Sequence, residues 1–168
     1  MALTGQLSWQ GNRYSVDWSS PLSIGIPLRH GHANPKAWHA PDPDFSPVRA
    51  GNFVGKVTDG GGVNFFNAFC NPHGNGTHTE CVGHITPEHH TLCDCPVQPI
   101  AMAQLLTVAP SAAGKDTIIT AKQVLPHIAT GIEAVVIRTL PNGQDKLTKD
   151  YTQTNPPFFA PELLDALA

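Results

Sequence analysis

The sequence predicts a mixed α/β protein, and three observations lead to this prediction. Its 168 residues suit one ordinary domain with a core of its own. Strand-like segments dominate the first half, whereas strands alternate with helices in the second half. No segment repeats along the chain. We therefore expect a single domain over residues 1–168.

The first half predicts a hairpin, a long loop and two further strands. QLSWQ and RYSVDW flank Gly11-Asn12, a pair suited to the positive backbone angles of a tight turn. Prolines recur from Ser20 to Pro47, which predicts an irregular loop, and long loops in compact domains are often functional. GNFVGKV and VNFFNAF then resemble strands separated by turn residues.

The second half begins with PIAMAQLLTVA, which is apolar enough for a buried strand or a short helix, so both remain open. DTIIT predicts a short strand that leads into a helix. Thr120 and Gln123 have capping-box spacing at the start of this helix, Pro126 should kink or shorten it, and Gly131 can end it.

IEAVVIRTL predicts a buried strand, and the tail predicts a final helix. Pro161 is allowed in the first turn of this helix. Leu163, Leu164 and Leu167 should lie on one apolar face.

The charge pattern argues against two classes of partner. Ten basic residues against thirteen acidic ones, without a block of like charge, do not supply the phosphate neutralisation that nucleic-acid binding needs. The N-terminus lacks a basic start followed by an apolar segment, and no run approaches the roughly 18 apolar residues of a membrane span. We therefore expect a cytoplasmic protein with neither nucleic-acid nor membrane partners.

The four cysteines fall between Cys70 and Cys95, so they do not predict a disulfide framework for the whole chain. Cys93-Asp94-Cys95 is one residue shorter than the usual CxxC of zinc and redox motifs. Buried free cysteine is the commoner use, and we expect Cys81 to be a core residue.

Five of the nine histidines lie in NPHGNGTHTECVGHITPEHH, residues 71–90. His78, Glu80 and His84 occupy alternate positions, so an extended segment would place them on one face. At about 3.3 Å per residue His78 and Glu80 lie about 6.6 Å apart and can share a metal ion. His84 would be about 20 Å from His78 on a straight strand, which favours an acid/base over a ligand.

The two glycines of HGNGT permit a tight turn that brings His73 near His78. Imidazole and carboxylate are suitable ligands for zinc, manganese or iron(II), and a metal-bound water with its pKa lowered to about 7 would attack a carbonyl as hydroxide. A single surface histidine would more often be a solvated side chain. Histidines that share a face with a carboxylate favour a metal site.

GTHTECVGH, Gly76 to His84, resembles the signature HxGTHxDxPxH of the metal-dependent cyclase and kynurenine formamidase family. SIGIPL with the proline-rich loop, VVIRT and TNPPFFAPELL also resemble this family, so the resemblance covers most of the chain. It implies a mixed-sheet swivelling β/β/α domain and a divalent metal, zinc first and manganese second. It also implies hydrolysis of an amide, formamide or lactone carbonyl in a small-molecule substrate, by a homo-oligomer.

The resemblance also implies roles for individual residues. His78 would be a metal ligand, Glu80 would replace the bridging aspartate, and His84 would be the catalytic acid/base. The family's first histidine falls on Gly74, and His73 one position earlier would replace that ligand. Glu80 is one methylene longer than aspartate, which would move a metal by about a bond length.

Two further expectations concern substrate and completeness. Trp38 would stack on an aromatic substrate, with packing as the alternative. The family completes its metal site with a later histidine and glutamate, and this chain ends at Ala168 where that part would begin, so we expect a domain that is incomplete at its C-terminal end.

Two other functions compete with metal-dependent hydrolysis. Without the later ligands, the protein would be a catalytically incomplete metal-binding or assembly module. A cysteine hydrolase would instead use Cys81 with His78 or His84, although strand alternation would place Cys81 on the opposite face from both.

Overall fold

The computed structural model of the protein describes residues 2–95 and 98–168. Its strands are β1 (Thr4–Trp9), β2 (Asn12–Asp17), β3 (Asp44–Pro47), β4 (Arg49–Ala50), β5 (Phe53–Val54), β6 (Phe66–Phe69), β7 (Ala103–Val108), β8 (Ser111–Ala113), β9 (Asp116–Ile119), β10 (Ala134–Thr139) and β11 (Phe158–Phe159). Its α-helices are α1 (Pro72–Asn75), α2 (Ala121–Val124) and α3 (Pro161–Leu167). The architecture is mixed α/β with small sheets, as the sequence predicts.

The predicted N-terminal hairpin is confirmed, with its turn one residue earlier than expected. β1 and β2 pair antiparallel from Thr4 opposite Asp17 to Trp9 opposite Asn12. The turn residues are Gln10 and Gly11, both with positive φ, at 47° and 76°. Two positive φ angles in succession are typical of the turn that matches the twist of a two-stranded ribbon.

The predicted loop from residue 20 to 47 ends earlier than expected. Residues 44–47 form β3, which pairs antiparallel with β6, Asp44 lying opposite Phe69. The prolines predicted a loop because proline cannot donate to a sheet, but an edge strand tolerates one at its end, as Pro47 does here. The preceding residues remain irregular and reach the C-terminal part through a bridge between Lys36 and Asp150.

The second half holds the apolar core. β7 and β10 pair in parallel, Ala103 opposite Ala134, which decides the open question at PIAMAQLLTVA in favour of a strand. β9 pairs with β8 and with β11 in a separate sheet. The core cluster consists of Val108, Ile119, Val124 and Leu163, each at most 4 % exposed.

The two helices that cover this core are short. The capping box of α2 is present at Thr120 and Gln123, and α2 ends before Pro126, where a 3-10 turn (Leu125–His127) replaces it. α3 begins at Pro161, as predicted. Only one leucine of its expected apolar face is buried, because Leu164 and Leu167 remain 50 % and 46 % exposed. None of the helices formed by the described residues has the length and apolar character needed to cross a bilayer.

Candidate metal centre

α1 carries His73, and polar side chains hold this single helical turn in place. The Asn71 side chain accepts a hydrogen bond from Gly74 N at 3.1 Å and caps the N-terminus. Asn75 is only 1 % exposed; its Nδ2 donates to Pro41 O at 3.1 Å, and its Oδ1 accepts from Asn71 N at 2.8 Å. α1 is too short to be stable alone, so these hydrogen bonds determine where His73 lies.

Gly74 allows α1 to approach the proline-rich loop. A Cβ at Gly74 would overlap the Cβ of Ala40, and the Gly74 carbonyl accepts a hydrogen bond from Ala37 N at 2.9 Å. The need for glycine therefore comes from close packing of two segments. The sequence predicted that Gly74 and Gly76 permit a tight turn that brings His73 near His78. The turn is the single helical turn of α1, and the two rings lie 4.9 Å apart, as predicted.

The predicted strand over residues 78–84 is wrong. Val82–His84 form a 3-10 turn, in which His84 N donates to Cys81 O and Ile85 N to Val82 O, both at 3.0 Å. A Cβ at Gly83 would overlap the carbonyl of His90, so this turn packs directly on a later part of the loop. Local turn hydrogen bonds satisfy the backbone here, which removes the alternation on which the strand prediction depended.

The turn brings four predicted site residues together. Glu80 Oε2 lies 3.2 Å from His73 Nδ1, 3.4 Å from His78 Nε2 and 3.9 Å from His84 Nε2. The His73 ring stacks on the His84 ring, with centroids 4.1 Å apart, and meets the His78 ring edge-on at 4.9 Å. His84 is therefore part of the cluster, and the separation of about 20 Å from His78 expected for a straight strand does not apply.

The surroundings of His78 indicate which of its nitrogens faces the cluster. His78 Nδ1 lies 2.9 Å from Gly76 O, and a carbonyl oxygen can only accept, so Nδ1 carries a proton. The other ring nitrogen, Nε2, faces the Glu80 carboxylate at 3.4 Å. The contact between Nδ1 and the Gly76 carbonyl is one that metal-ligating histidines commonly make, because it fixes the orientation of the ring.

The donor set fits a divalent metal. Ligand atoms of His73, Glu80 and His84 all lie within 4.8 Å of one another. Ligands at about 2.0–2.2 Å from zinc lie about 3.3–3.5 Å apart in a tetrahedron, so small side-chain rotations would complete the site. Imidazole nitrogens with one carboxylate oxygen are typical ligands of zinc.

The charge state of Glu80 also suits a ligand. Partial burial acts to raise the pKa of its carboxyl, but the neighbouring His84, His78 and His73 lower it by more. The pKa therefore lies below the ordinary value of a glutamate, and Glu80 is a carboxylate at neutral pH. Only the ionised form offers both oxygens to a metal.

The cluster lies between two cavities. One, of about 360 Å³, is lined by His73, Glu80 and His84 together with residues 90–92. The other, of about 300 Å³, lies against His73 and is lined by Ile26, Ala37, Gly76, Thr77, Lys146 and Tyr151, among others. The cluster is open to solvent, since the side chains of Glu80 and His84 are 49 % and 46 % exposed.

Trp38 lies in the loop that borders the second cavity. Its neighbour Ala37 lines that cavity, while Trp38 itself is 82 % exposed and has a positive φ of 55°. The alternative that Trp38 packs in the interior is therefore wrong. Its role in substrate binding stays a prediction.

Sequence reasoning missed residues that only the tertiary structure brings to the cluster. Lys146 and Tyr151 line the cavity beside His73, although they lie far along the chain. Tyr151 N donates to Lys36 O at 2.6 Å, and Lys36 N to Lys149 O at 3.0 Å, which ties the two segments together. Asn75, which positions α1, was also missed, because nothing in HGNGT shows that its asparagine is buried.

Cys81 differs from both of its predicted roles. It is half-buried and lies outside the apolar core, and its thiol donates to the carbonyl of His90 at 3.6 Å. A nucleophilic cysteine instead needs an adjacent base. The contact made by Cys81 therefore gives no support to a cysteine hydrolase.

Comparison with known proteins gives one match. The family model described as "Putative cyclase" matches residues 16–168, which is most of the chain. Searches of curated proteins and of solved structures returned no match.

Proposed function

The chain belongs to the putative cyclase family, and from this premise we propose that it is a metal-dependent hydrolase of amide, formamide or lactone carbonyls. The observation that carries the proposal is the convergence of three imidazoles on the Glu80 carboxylate. The family also supports the finer proposal that the mixed α/β fold is a swivelling β/β/α domain.

His73, His78 and Glu80 would hold the metal, zinc first and manganese second. The Gly76 carbonyl orients His78, and the Asn75 hydrogen bonds position the helix that carries His73. A divalent ion bound there would supply Lewis acidity to polarise the carbonyl and to activate a water molecule. Glu80, as a carboxylate between the imidazoles, balances the positive charge that the ion would add.

His84 would be the catalytic acid/base. Its ring stacks on His73 and its Nε2 faces Glu80, so the same side chain reaches the centre of the cluster and solvent. Nε2 would take a proton from the attacking water and return it to the leaving nitrogen or oxygen. Proton transfer of this kind contributes typically about 10²–10⁴-fold to a rate.

The substrate would be a small molecule held in the cavity beside His73. Its volume of about 300 Å³ lies at the lower end of the range for ligand pockets. Trp38 follows Ala37, which lines this cavity, and would stack on an aromatic part of the substrate. We further propose that the protein works as a homo-oligomer, as the family resemblance implies.

A second candidate function is a metal-binding or assembly module without catalysis. The exposure of the cluster favours it, because Glu80 and His84 are about half exposed and catalytic sites commonly exclude water. This candidate predicts bound metal without hydrolysis of any carbonyl substrate.

The first experiment measures metal content by elemental mass spectrometry on protein purified without chelator or added metal. We expect about one or two equivalents of zinc or manganese per chain. Hydrolysis of aryl formamides and lactones is then measured before and after chelation. Metal-free protein would contradict both candidates, and metal-loaded protein that hydrolyses none of these substrates would favour the module.

Single substitutions with a matched control distinguish the metal ligands from the catalytic acid/base. His78→Ala should lose both metal and hydrolysis, while His89→Ala, at an exposed histidine of the same stretch, should keep both. His84→Gln should retain the metal and lose most of kcat. Loss of metal from His84→Gln would instead make His84 a ligand, as its distance to Glu80 also allows.

A further inference from the structure

Two half-buried thiols lie beside the cluster and take no part in the proposed hydrolysis. The thiol of Cys81 contacts the carbonyl of His90, and the thiol of Cys95 contacts the carbonyl of Thr91, each at 3.6 Å. Because His90 and Thr91 are consecutive residues, the two sulfurs are held against neighbouring peptide groups. The loop of residues 81–95 therefore folds back, so that both of its ends contact the segment at residues 90 and 91.

Cys81 also affects the thiol of Cys95. Burial raises the pKa of the Cys95 thiol, and the neighbouring Cys81 and Asp94 raise it further. This effect of Cys81 agrees with the contacts that both thiols make to consecutive peptide groups. The other cysteines, Cys70 and Cys93, are exposed and have no comparable arrangement in the described part of the chain.

Packing holds the two ends of the loop in this relation. A Cβ at Gly83 would overlap the His90 carbonyl, so the turn after Cys81 lies directly on the segment that precedes Cys95. Asp94 accepts hydrogen bonds from Thr91 N at 2.8 Å and from Thr91 Oγ1 at 2.9 Å, which closes the turn that ends at Cys95. Packing and hydrogen bonds therefore hold the segments that carry the two thiols against each other.

We propose that Cys81 and Cys95 form an oxidisable dithiol, a disulfide site directly after the Glu80 carboxylate. With a disulfide oxidant such as oxidised glutathione, one protein thiolate attacks the oxidant and releases one glutathione thiolate. The second protein thiol, on losing its proton, attacks the mixed disulfide and releases the second glutathione. The protein loses two electrons and two protons, and the oxidant becomes two thiols.

The disulfide would act on the cluster through the backbone. Cys81 follows Glu80 and precedes the turn that carries His84, so a bond to Cys95 would tie this turn to the far end of the loop. The dithiol does not depend on bound metal or on hydrolysis. Its test can therefore succeed or fail independently of the proposed function.

The test uses the full chain, cleared of metal with a chelator and treated with oxidised glutathione. Remaining thiols are blocked with an alkylating reagent, and disulfide-linked peptides are identified by mass spectrometry without reduction. We expect loss of two of the four thiols and a peptide pair joined through Cys81 and Cys95. Cys93→Ser should give the same linked peptide pair, whereas Cys95→Ser should give no protein disulfide at Cys81, which then stays a free thiol or carries one glutathione.

The identity of the oxidised cysteines decides the outcome of this test. If exposure alone governed oxidation, Cys70 and Cys93 would react first, because they are the exposed cysteines of the chain. Glutathione adducts on these residues with Cys81 and Cys95 still reduced would overturn the proposal. A disulfide that joins Cys81 to Cys93 or to Cys70 would overturn it as well.

Discussion

The segment that carries the cluster, residues 71–95, is built differently from the core formed by β7, β9, β10, α2 and α3. In the core, Val124 and Leu163 are fully buried and apolar contacts dominate. In the cluster segment only Gly74 and Asn75 are buried, and side-chain hydrogen bonds to the backbone hold the shape. Hydrophobic burial thus stabilises one region, while directional polar contacts determine the geometry of the other.

From this difference we expect that the stability of the fold and the geometry of the metal centre can be changed by separate substitutions. A core substitution should lower the free energy of unfolding strongly, with metal binding lost only when the protein unfolds. Substitution of an exposed cluster side chain should alter metal binding at almost constant stability, whereas substitution of the buried Asn75, which positions the cluster, should affect both. The following substitutions test this separation, from the largest expected change in stability to the smallest.

Leu163→Ala should cause the largest loss of stability, about 2–5 kcal/mol, because Leu163 is fully buried and its removal leaves a cavity. Chemical denaturation followed by circular dichroism measures this loss. Leu167→Ala in the same helix is the control, since Leu167 is 46 % exposed, and it should cost less than about 1 kcal/mol. Equal effects of the two substitutions would show that α3 does not complete the core.

Asn75→Ala should cost about 1–3 kcal/mol and also weaken metal binding. The substitution leaves Pro41 O and Asn71 N without their partner and frees the helical turn that carries His73. Denaturation and metal titration on the same protein measure both effects, with Asn52→Ala at an exposed turn as the control. Unchanged metal affinity would show that metal binding by the cluster does not depend on the position of α1.

Gln123→Ala should cost about 1 kcal/mol with metal affinity unchanged, because it removes the capping box of α2 far from the cluster. Gln123 Oε1 accepts from Thr120 N at 3.0 Å, and its Nε2 donates to Ala109 O at 2.6 Å. Gln123→Glu keeps the acceptor and should recover part of the loss. A fall in metal affinity for either variant would mean that the two regions are coupled.

Glu80→Gln should change stability least, by less than about 0.5 kcal/mol, since the side chain is half exposed. It should nevertheless weaken metal binding by at least about tenfold, because the neutral amide is a poorer ligand than the carboxylate. Isothermal titration with zinc measures the affinity, and Glu88→Gln at an exposed position of the same loop is the control. Similar affinities of the two variants would exclude Glu80 as a ligand.

Local patterns predicted many of the elements. The turn at Gly11, the capping box at Thr120, and the strand before Leu140 were each predicted from a few adjacent residues. The structure confirms these elements, although the strand, β10, is only half-buried where a buried strand was predicted. Each depends on backbone preferences or on alternation within one segment. The single-domain boundary over residues 1–168 stays a prediction.

The residues of the cluster were predicted from the sequence, but the backbone conformation of the segment that carries them was predicted wrongly. Its residues, His73, His78, Glu80 and His84, are near neighbours in the chain, so their chemistry was visible in the motif. Their arrangement was derived from a strand, whereas the structure has a 3-10 turn that packs on His90. A contact with a later segment decided between the two, and short-range periodicity contains no information about it.

The sequence by itself therefore determined which imidazoles and which carboxylate occur together in the motif, the mixed α/β class and the family to which the chain belongs. Only the tertiary structure decided that His84 joins the cluster, that Lys146 and Tyr151 border its cavity, and that the thiols of Cys81 and Cys95 contact consecutive carbonyls. The physical reason is that donor chemistry belongs to individual side chains. The distances among them depend on hydrogen bonds and packing between segments far apart in the chain.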